Sequence, residues 1–239
     1  MHNDTELLRC YAEEKSEAAF AEIVRRQLDL VYSAALRRLG GDAHGAADVA
    51  QVVFARLARD ATRLSRHTVL TAWLYSVTRN AAVDAIRADV RRQRREQEAH
   101  TMQTILAPGP ADAAWEKLRP VLDATLDELA QVDREAVLLR FFEQRGFAEI
   151  GATLRVSEDA ARMRVERALE KLRGLLARRG VTSTGAALGV VLANQAVGAA
   201  PAGLAGTVVA AAVAASAAVV GVVGGGATMA EVFTFMSTG

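Results

Sequence analysis

Arginines gathered on two segments set far apart in the chain are the side chains best placed to do chemistry, and that chemistry is the holding of phosphates and base edges. The first segment runs from Trp73 through Tyr75, Arg79, Asn80, Asp84 and Arg87 and continues into Arg91, Arg92, Arg94 and Arg95. The second, Ser157 to Arg173, carries Arg162, Arg164, Arg167 and Lys171. The whole chain is nearly neutral at +1, so this basic charge is local rather than general. Local Arg clusters on helices point to nucleic acid, and two of them point to two separate contacts.

Within the first segment Arg79, Asn80, Asp84 and Arg87 share a helix face at three- and four-residue steps. Trp73 and Tyr75 lie just upstream. Such a set suits an unstacked base: a ring stacks on it, an amide reads an edge, and Arg holds the backbone. The alternative reading makes Trp73 a core anchor and the Arg run a solvated face. In the second segment Glu149 to Ala168 fits a helix-turn-helix. Its first helix, Phe147 to Leu154, buries Ile150 and Leu154; Arg155-Val156 forms the turn. Ser157 is suited to cap the next helix, with Glu158 and Asp159 at the positive end of its dipole. Burying Ala161, Val165, Ala168 and Leu172 leaves Arg162, Arg164 and Arg167 outward, available to phosphates and guanine edges in a major groove. The alternative is an ordinary helical hairpin with a solvated Arg face. Arg155 is unusual in a turn of this kind, which often wants glycine.

The elements that must position these residues are helical throughout. Four prolines and 5% aromatics in 239 residues, with no sustained period-two alternation, predict an all-α fold with no sheet. Phe20, Ile23, Val24, Leu28, Val31, Ala35 and Leu39 form one apolar stripe, ended by Gly40-Gly41. A second helix is expected over Ala46 to Leu57 and a third from about Thr71 through the first Arg cluster. Residues 1–97 thus form one domain. Periodicity fails over 98–114, where Pro108-Gly109-Pro110 marks a linker. A second domain, 115–180, turns Leu122, Leu126, Leu129, Val132, Val137, Leu138 and Phe141 inward.

From Val181 to Ala230 no residue is charged, and Ala, Val and Gly dominate the 181–239 extension. Residues 203–223 are long enough for a membrane span, with Arg173, Arg178 and Arg179 before them and only Glu231 after. That disposition would leave the N-terminal part cytoplasmic, tethered to the inner membrane. The other disposition is a helical hairpin, about 184–200 and 203–223, folded back on the domains as an internal inhibitor. Cys10 is alone, and His2, His44, His67 and His100 lack ligand spacing, so neither disulfide nor metal site nor other cofactor is expected. The polar, charged N-terminus has no signal-peptide pattern, which places residues 1–180 in the cytoplasm.

The stretch Trp73-Leu74-Tyr75 to Arg79-Asn80, then Asp84 and Arg87, resembles the promoter-melting helix of extracytoplasmic-function sigma factors of bacterial RNA polymerase. Ala47 to Phe54 looks like that family's core-binding helix. Leu126 to Leu172, including Arg140 to Glu143, Glu149-Ile150 and Arg167-Ala168, is similar to its −35-binding domain. The likeness covers residues 18 to 178 in the family's order. Two departures stand out: Ala47 and Val52 replace the acids usual in the core-binding helix, and Ala161 replaces a larger apolar residue. The resemblance implies that Asp48, Gln51 and Phe54 dock on core polymerase, through its β′ subunit with β also a partner. It implies that Trp73, Arg79, Asn80, Asp84, Arg87 and Arg91 engage the −10 element, a flipped base being captured near Asn80. Ser157, Arg162, Arg164, Arg167 and Lys171 would read the −35 element. An anti-sigma factor is a further expected partner.

No catalytic triad, carboxylate cluster or phosphate-cradling glycine loop is present, so the chain is not expected to be an enzyme. Three competing readings make distinct demands. A one-component regulator would bind duplex DNA without polymerase and leave Trp73 to Arg87 idle. A recombinase would need a nucleophile with activating groups. A membrane-anchored structural protein would use its Arg runs on anionic lipid.

Overall fold

A computed structural model describes residues 3–65, 69–96, 113–195 and 197–222; side chains are described for all of these except 90–96, 113, 114, 116, 117, 195 and 217–222. Among the described residues the chain is helical and contains no strand. The N-terminal unit is a four-helix arrangement: α1 (Asp4–Glu14), α2 (Glu17–Arg38), α3 (Ala43–Leu64) and α4 (Leu70–Glu96). Sequence dictates each boundary. Asn3 caps α1 in a reciprocal box with Glu6, and Ser16 caps α2. Gly40 and Gly41 take φ of 66° and 97°, which lets the chain leave α2 with the Gly41 amide bonded to the Leu36 carbonyl. Asp42 then accepts from the amides of His44 and Gly45 and starts α3 earlier than the apolar stripe alone indicated.

The second unit holds α5 (Ala113–Glu128), α6 (Gln131–Val137), a π-helical turn over Leu138–Phe142, α7 (Phe147–Leu154) and α8 (Glu158–Ala177). The expected linker at 98–114 falls almost wholly outside the described residues. Val132, expected inward, is half exposed because α6 begins at Gln131 and turns it to solvent. The π turn adds a residue to the helix, closing on a bond from the Glu143 amide to the Leu138 carbonyl at 3.2 Å. It aims Phe142 at the N-terminal unit, where the ring is buried 6.4 Å from that of Tyr75.

The two units are packed on each other. One apolar core runs from Leu8, Phe20 and Phe54 through Leu74 to Leu122, Leu126 and Leu138. A smaller core of Ala136, Leu139, Ile150, Ala161 and Val165 holds the helix-turn-helix, with Val69 of the first unit leaning on it.

The uncharged tail forms α9 (Gly185–Gln195) and α10 (Leu204–Val222). These helices do not lie side by side as a hairpin. Instead α9 rests on α8, α5 and the π turn, and α10 lies along α3 and α2. Leu188 and Leu192 seat the first; Leu204, Val208 and Ala212 seat the second. The joint between them is tied to α2: Ser33 accepts the Gly198 amide and Asp29 the Ala200 amide, both at 2.8 Å. At the far end the Tyr11 and Ser216 hydroxyls are 3.1 Å apart. The tail is therefore a strap with one end on each unit. Among the described residues no helix is long and apolar enough to cross a membrane. The span expected at 203–223, whose last residue lies outside the described chain, gives way to a helix in which Leu204, Val208, Val209, Ala212 and Val213 find their apolar partners within the protein.

Candidate nucleic-acid interface

The outer face of α4 carries Asn80, Asp84 and Arg87, all exposed, with Arg87 and Asp84 paired at 3.6 Å. Arg91 lies further along the same helix, and its side chain is outside the described residues. Trp73 is half-buried against the main core, so most of its ring packs rather than projects. Tyr75 departs furthest from the sequence reading. It is 1% exposed, its ring under Arg38 and its hydroxyl donating to Asp123 of α5 at 2.7 Å. Burial, reinforced by the Asp123 carboxylate, raises its pKa well above 10, so the hydroxyl remains a donor.

Asp123 and Asp127 sit one turn apart on α5 and organise the seam between the units. Arg37 forks onto Asp123 at 2.7 and 3.1 Å, with its guanidinium over the Phe142 ring at 5.6 Å. Arg38 reaches Asp127 at 3.0 Å, and Arg79 lies 3.6 Å from the same carboxylate. The Arg37 and Asp123 side chains are only 5% and 8% exposed, so removing either alone would leave a buried charge, a loss of about 3–5 kcal/mol. Burial works against the charge on Arg38, yet Tyr75, Asp123 and Asp127 outweigh it and hold its pKa above the usual value. Periodicity gives no sign of this seam: each arginine lies at the polar edge of its own helix, and only the packing of α5 supplies its partner.

At the helix-turn-helix, Ser157 caps α8 by accepting the Ala160 amide at 3.2 Å. Arg155 takes the left-handed conformation at φ 56°. The position that truly requires glycine is Gly151, where a Cβ would stand 2.8 Å from the Val156 carbonyl oxygen. Arg162 and Arg167 are exposed. The guanidiniums of Arg162 and Arg140 both lie over the Phe147 ring, at 5.1 and 4.9 Å, and Arg162 also stands 3.9 Å from Glu158. Arg167 bonds back to the Met163 carbonyl at 3.1 Å. Arg164 is half-buried and lines a cleft of about 630 Å³ between the helix-turn-helix and the first unit, facing Asn3, Asp4 and Val69. Lys171 is tied to Asp133 of α6 at 2.6 Å, a strut within the second unit.

On α3, Asp48 is exposed with a 62% accessible side chain and Gln51 is half-buried. Phe54 is fully buried; it anchors α3 in the core and presents no surface. Val52 stands 57% exposed where the resemblance implies an acid. The structure thus gathers Asn80, Asp84 and Arg87 on the outer face of α4 and leaves Arg162 and Arg167 exposed on α8, whereas Arg79 turns into the seam and Arg164, expected outward, lines the cleft because its side of α8 faces the first unit.

Comparison with known proteins gives these surfaces a context. Residues 23–93 match Sigma-70 region 2, and residues 125–174 match Sigma-70, region 4. The chain is 35% identical over 162 residues to the ECF RNA polymerase sigma factor SigE of Mycolicibacterium smegmatis, covering 66% of this chain and 61% of SigE. It is 36% identical over 135 residues to the RNA polymerase sigma factor CarQ of Myxococcus xanthus, covering 55% of this chain and 74% of CarQ. Against the ECF RNA polymerase sigma factor SigW of Bacillus subtilis the identity is 28% over 164 residues, covering 65% and 87%. The chain belongs to the sigma-70 family of RNA polymerase sigma factors, in its extracytoplasmic-function group.

Proposed function

We propose that this chain is a non-enzymatic initiation factor that binds core RNA polymerase and directs it to promoters through a −10 and a −35 element. The observation that carries this reading is the pairing of two family regions, in order, with two helical units that each expose a basic helix face. Asp48 and Gln51 are the polymerase contacts, on β′ with β completing the interface; the buried Phe54 supports them from beneath. Asn80, Asp84, Arg87 and Arg91 engage the −10 element with Arg79, and Trp73 backs that face from the core. Arg162, Arg164 and Arg167 read the −35 element, Ser157 setting the start of their helix. Lys171 serves the second unit's integrity first, through Asp133.

The site of action is the cytoplasm, where polymerase works. The seat of α10 on α2 and α3 supports a tail that restrains the domains rather than one that tethers them to the inner membrane. An anti-sigma factor is a further proposed partner. Run-off transcription with core polymerase tests the reading: transcripts with defined start sites should require this chain. Replacing Asp48 and Gln51 together with Arg should abolish co-purification with core polymerase and leave helicity unchanged. Specific duplex binding with no polymerase requirement would instead establish the one-component regulator.

A further inference from the structure

The helix-turn-helix presents one side chain for which its basic residues give no reason. Met163 of α8 is 52% exposed, and among the described residues no other large apolar side chain of that helix is exposed. Single apolar residues are common on protein surfaces and mean little by themselves; here the position carries the meaning. Ala161, Val165, Ala168 and Leu172 form the buried stripe of α8. At 3.6 residues per turn, Met163 stands about 170° round the helix from the middle of that stripe, at the apex of the outward face. Asp159, Glu166 and Arg167 surround it, all exposed. A face that meets only water is served best by a polar apex, and this apex is apolar between charges.

Local structure fixes that placement. Ser157 caps α8 through the Ala160 amide, which sets where the helix starts and so which residues face outward. Met163 falls early in α8, and in a helix-turn-helix it is the early residues of the second helix that meet base edges. Ala160, exposed one turn before Met163, adds no bulk that would hold the helix off the groove floor. Arg164, the next residue, lines the cleft instead, and Arg167 Nε is turned back onto the Met163 carbonyl. The side chain projecting furthest from the face is thus a flexible, polarizable thioether. On the floor of a major groove every base edge offers donors or acceptors, and only thymine adds an apolar group, its C5-methyl. We propose that Met163 is a specificity-determining residue of the −35 contact: it packs on the C5-methyl of one thymine, so that the chain distinguishes thymine from cytosine at that base pair by an apolar contact rather than a hydrogen bond. The proposal rests on the sigma-factor reading and adds to its arginine contacts a base that guanidinium groups do not select.

The test uses holoenzyme assembled from the full chain and core polymerase, and a pool of randomised duplex DNA. Bound sites are selected and sequenced, and each thymine of their upstream element is replaced in turn by deoxyuridine, which removes the methyl group and keeps every hydrogen-bonding group. One such replacement should weaken binding about fourfold, the worth of one buried methyl. Met163→Gln, which keeps an unbranched side chain and loses the apolar tip, should bind the thymine and deoxyuridine forms of that site equally. In a fresh selection it should no longer favour thymine there. Val190→Gln, the same kind of change at a 60% exposed position on α9, should retain the fourfold difference. Helicity is checked by circular dichroism, and Met163→Ala takes the place of Met163→Gln should that variant lose it. Selected sites without thymine, thymines that are all indifferent to deoxyuridine, or a sensitivity undiminished in the Met163 variant each overturn the proposal. If core with the chain selects no sequence beyond those that core selects alone, the sigma-factor reading falls and the proposal with it. Selection of an upstream element indifferent to the thymine methyl defeats the role of Met163 only.

Discussion

Replacing Gly151 with Ala sets two opposed effects against each other at the turn of the helix-turn-helix. Gly151 lies inside α7, where Ala is favoured over Gly by about 1 kcal/mol. Against that, the new Cβ would meet the Val156 carbonyl oxygen at 2.8 Å and both Ser157 C and Glu158 N at 3.3 Å. All three atoms are backbone, and they belong to the segment that sets the Ser157 cap, so no side chain can swing aside. Overpacking of this kind costs about 1–3 kcal/mol, and a backbone wall places it at the upper end. The net expectation is a loss of about 2 kcal/mol, or about 4–8 °C in Tm for a chain of this size. Gly174 in α8 provides the opposite case, because nothing lies within 4 Å of its Cβ position. Gly174→Ala should therefore stabilise by roughly 0.5–1 kcal/mol. Urea unfolding followed by circular dichroism reads both, an unchanged m marking a pure change in stability. A Gly151→Ala midpoint at or above that of the parent would refute the steric argument.

Three further outcomes follow from the same geometry. Arg164→Ala should cost ~1–3 kcal/mol of −35 binding, concentrated at one base pair, while Asn80→Ala spares −35 binding and removes permanganate reactivity near −10; uniform weakening by both on every sequence would refute the division of labour. Burial raises the pKa of Glu143 above its ordinary 4.5, and nearby Asp4 adds to this, against the pull of Arg145 and Gln27. The folded state then holds that proton more tightly, so this contribution to stability is full below 4.5 and is lost as pH rises through the raised value; Glu143→Gln should abolish that decline, so that the urea midpoints of parent and variant separate as pH rises, and parallel curves would exclude it. Val208→Asp places a charge at a fully buried seat of α10 and should release the strap, increasing proteolytic cleavage within 197–222 on the order of tenfold and raising transcription; unchanged cleavage would show that α10 does not depend on this seat.

Local chemistry made much of the fold legible. The Gly40-Gly41 stop, the limits of α7 and the Ser157 cap are written in residues that act within a turn of themselves. The two tail helices, expected at about 184–200 and 203–223, form at Gly185–Gln195 and Leu204–Val222. What escaped depended on partners far away in sequence. α1 is short and mostly polar, and its Leu7, Leu8 and Tyr11 gain meaning only once α2 is beside them. Tyr75 read as a free aromatic because Asp123 lies in another unit. Arg155 drew attention as the turn residue, yet the close approach falls at Gly151, four residues earlier. The membrane expectation for 203–223 followed from length, apolarity and the basic flank before it; a sequence does not disclose whether an Ala/Val helix meets lipid or the flank of α3.

The strap of α9 and α10 belongs to the same polypeptide as the two units it joins, and this changes how the restraint scales. Groups joined by a short tether meet at an effective concentration of millimolar order, fixed by the tether rather than by cellular abundance. A restraining protein on a separate chain is titrated away when its target is overproduced. Here every molecule is made with its own restraint in one-to-one proportion, so a burst of synthesis leaves the closed fraction where it was. Release depends instead on ligands that distinguish the two arrangements. Polymerase and promoter must bind the separated domains more tightly than the closed ones, by a margin at least as large as the stability of the seam. Dosage becomes a weak control on such a factor, and the affinity of its promoters a strong one.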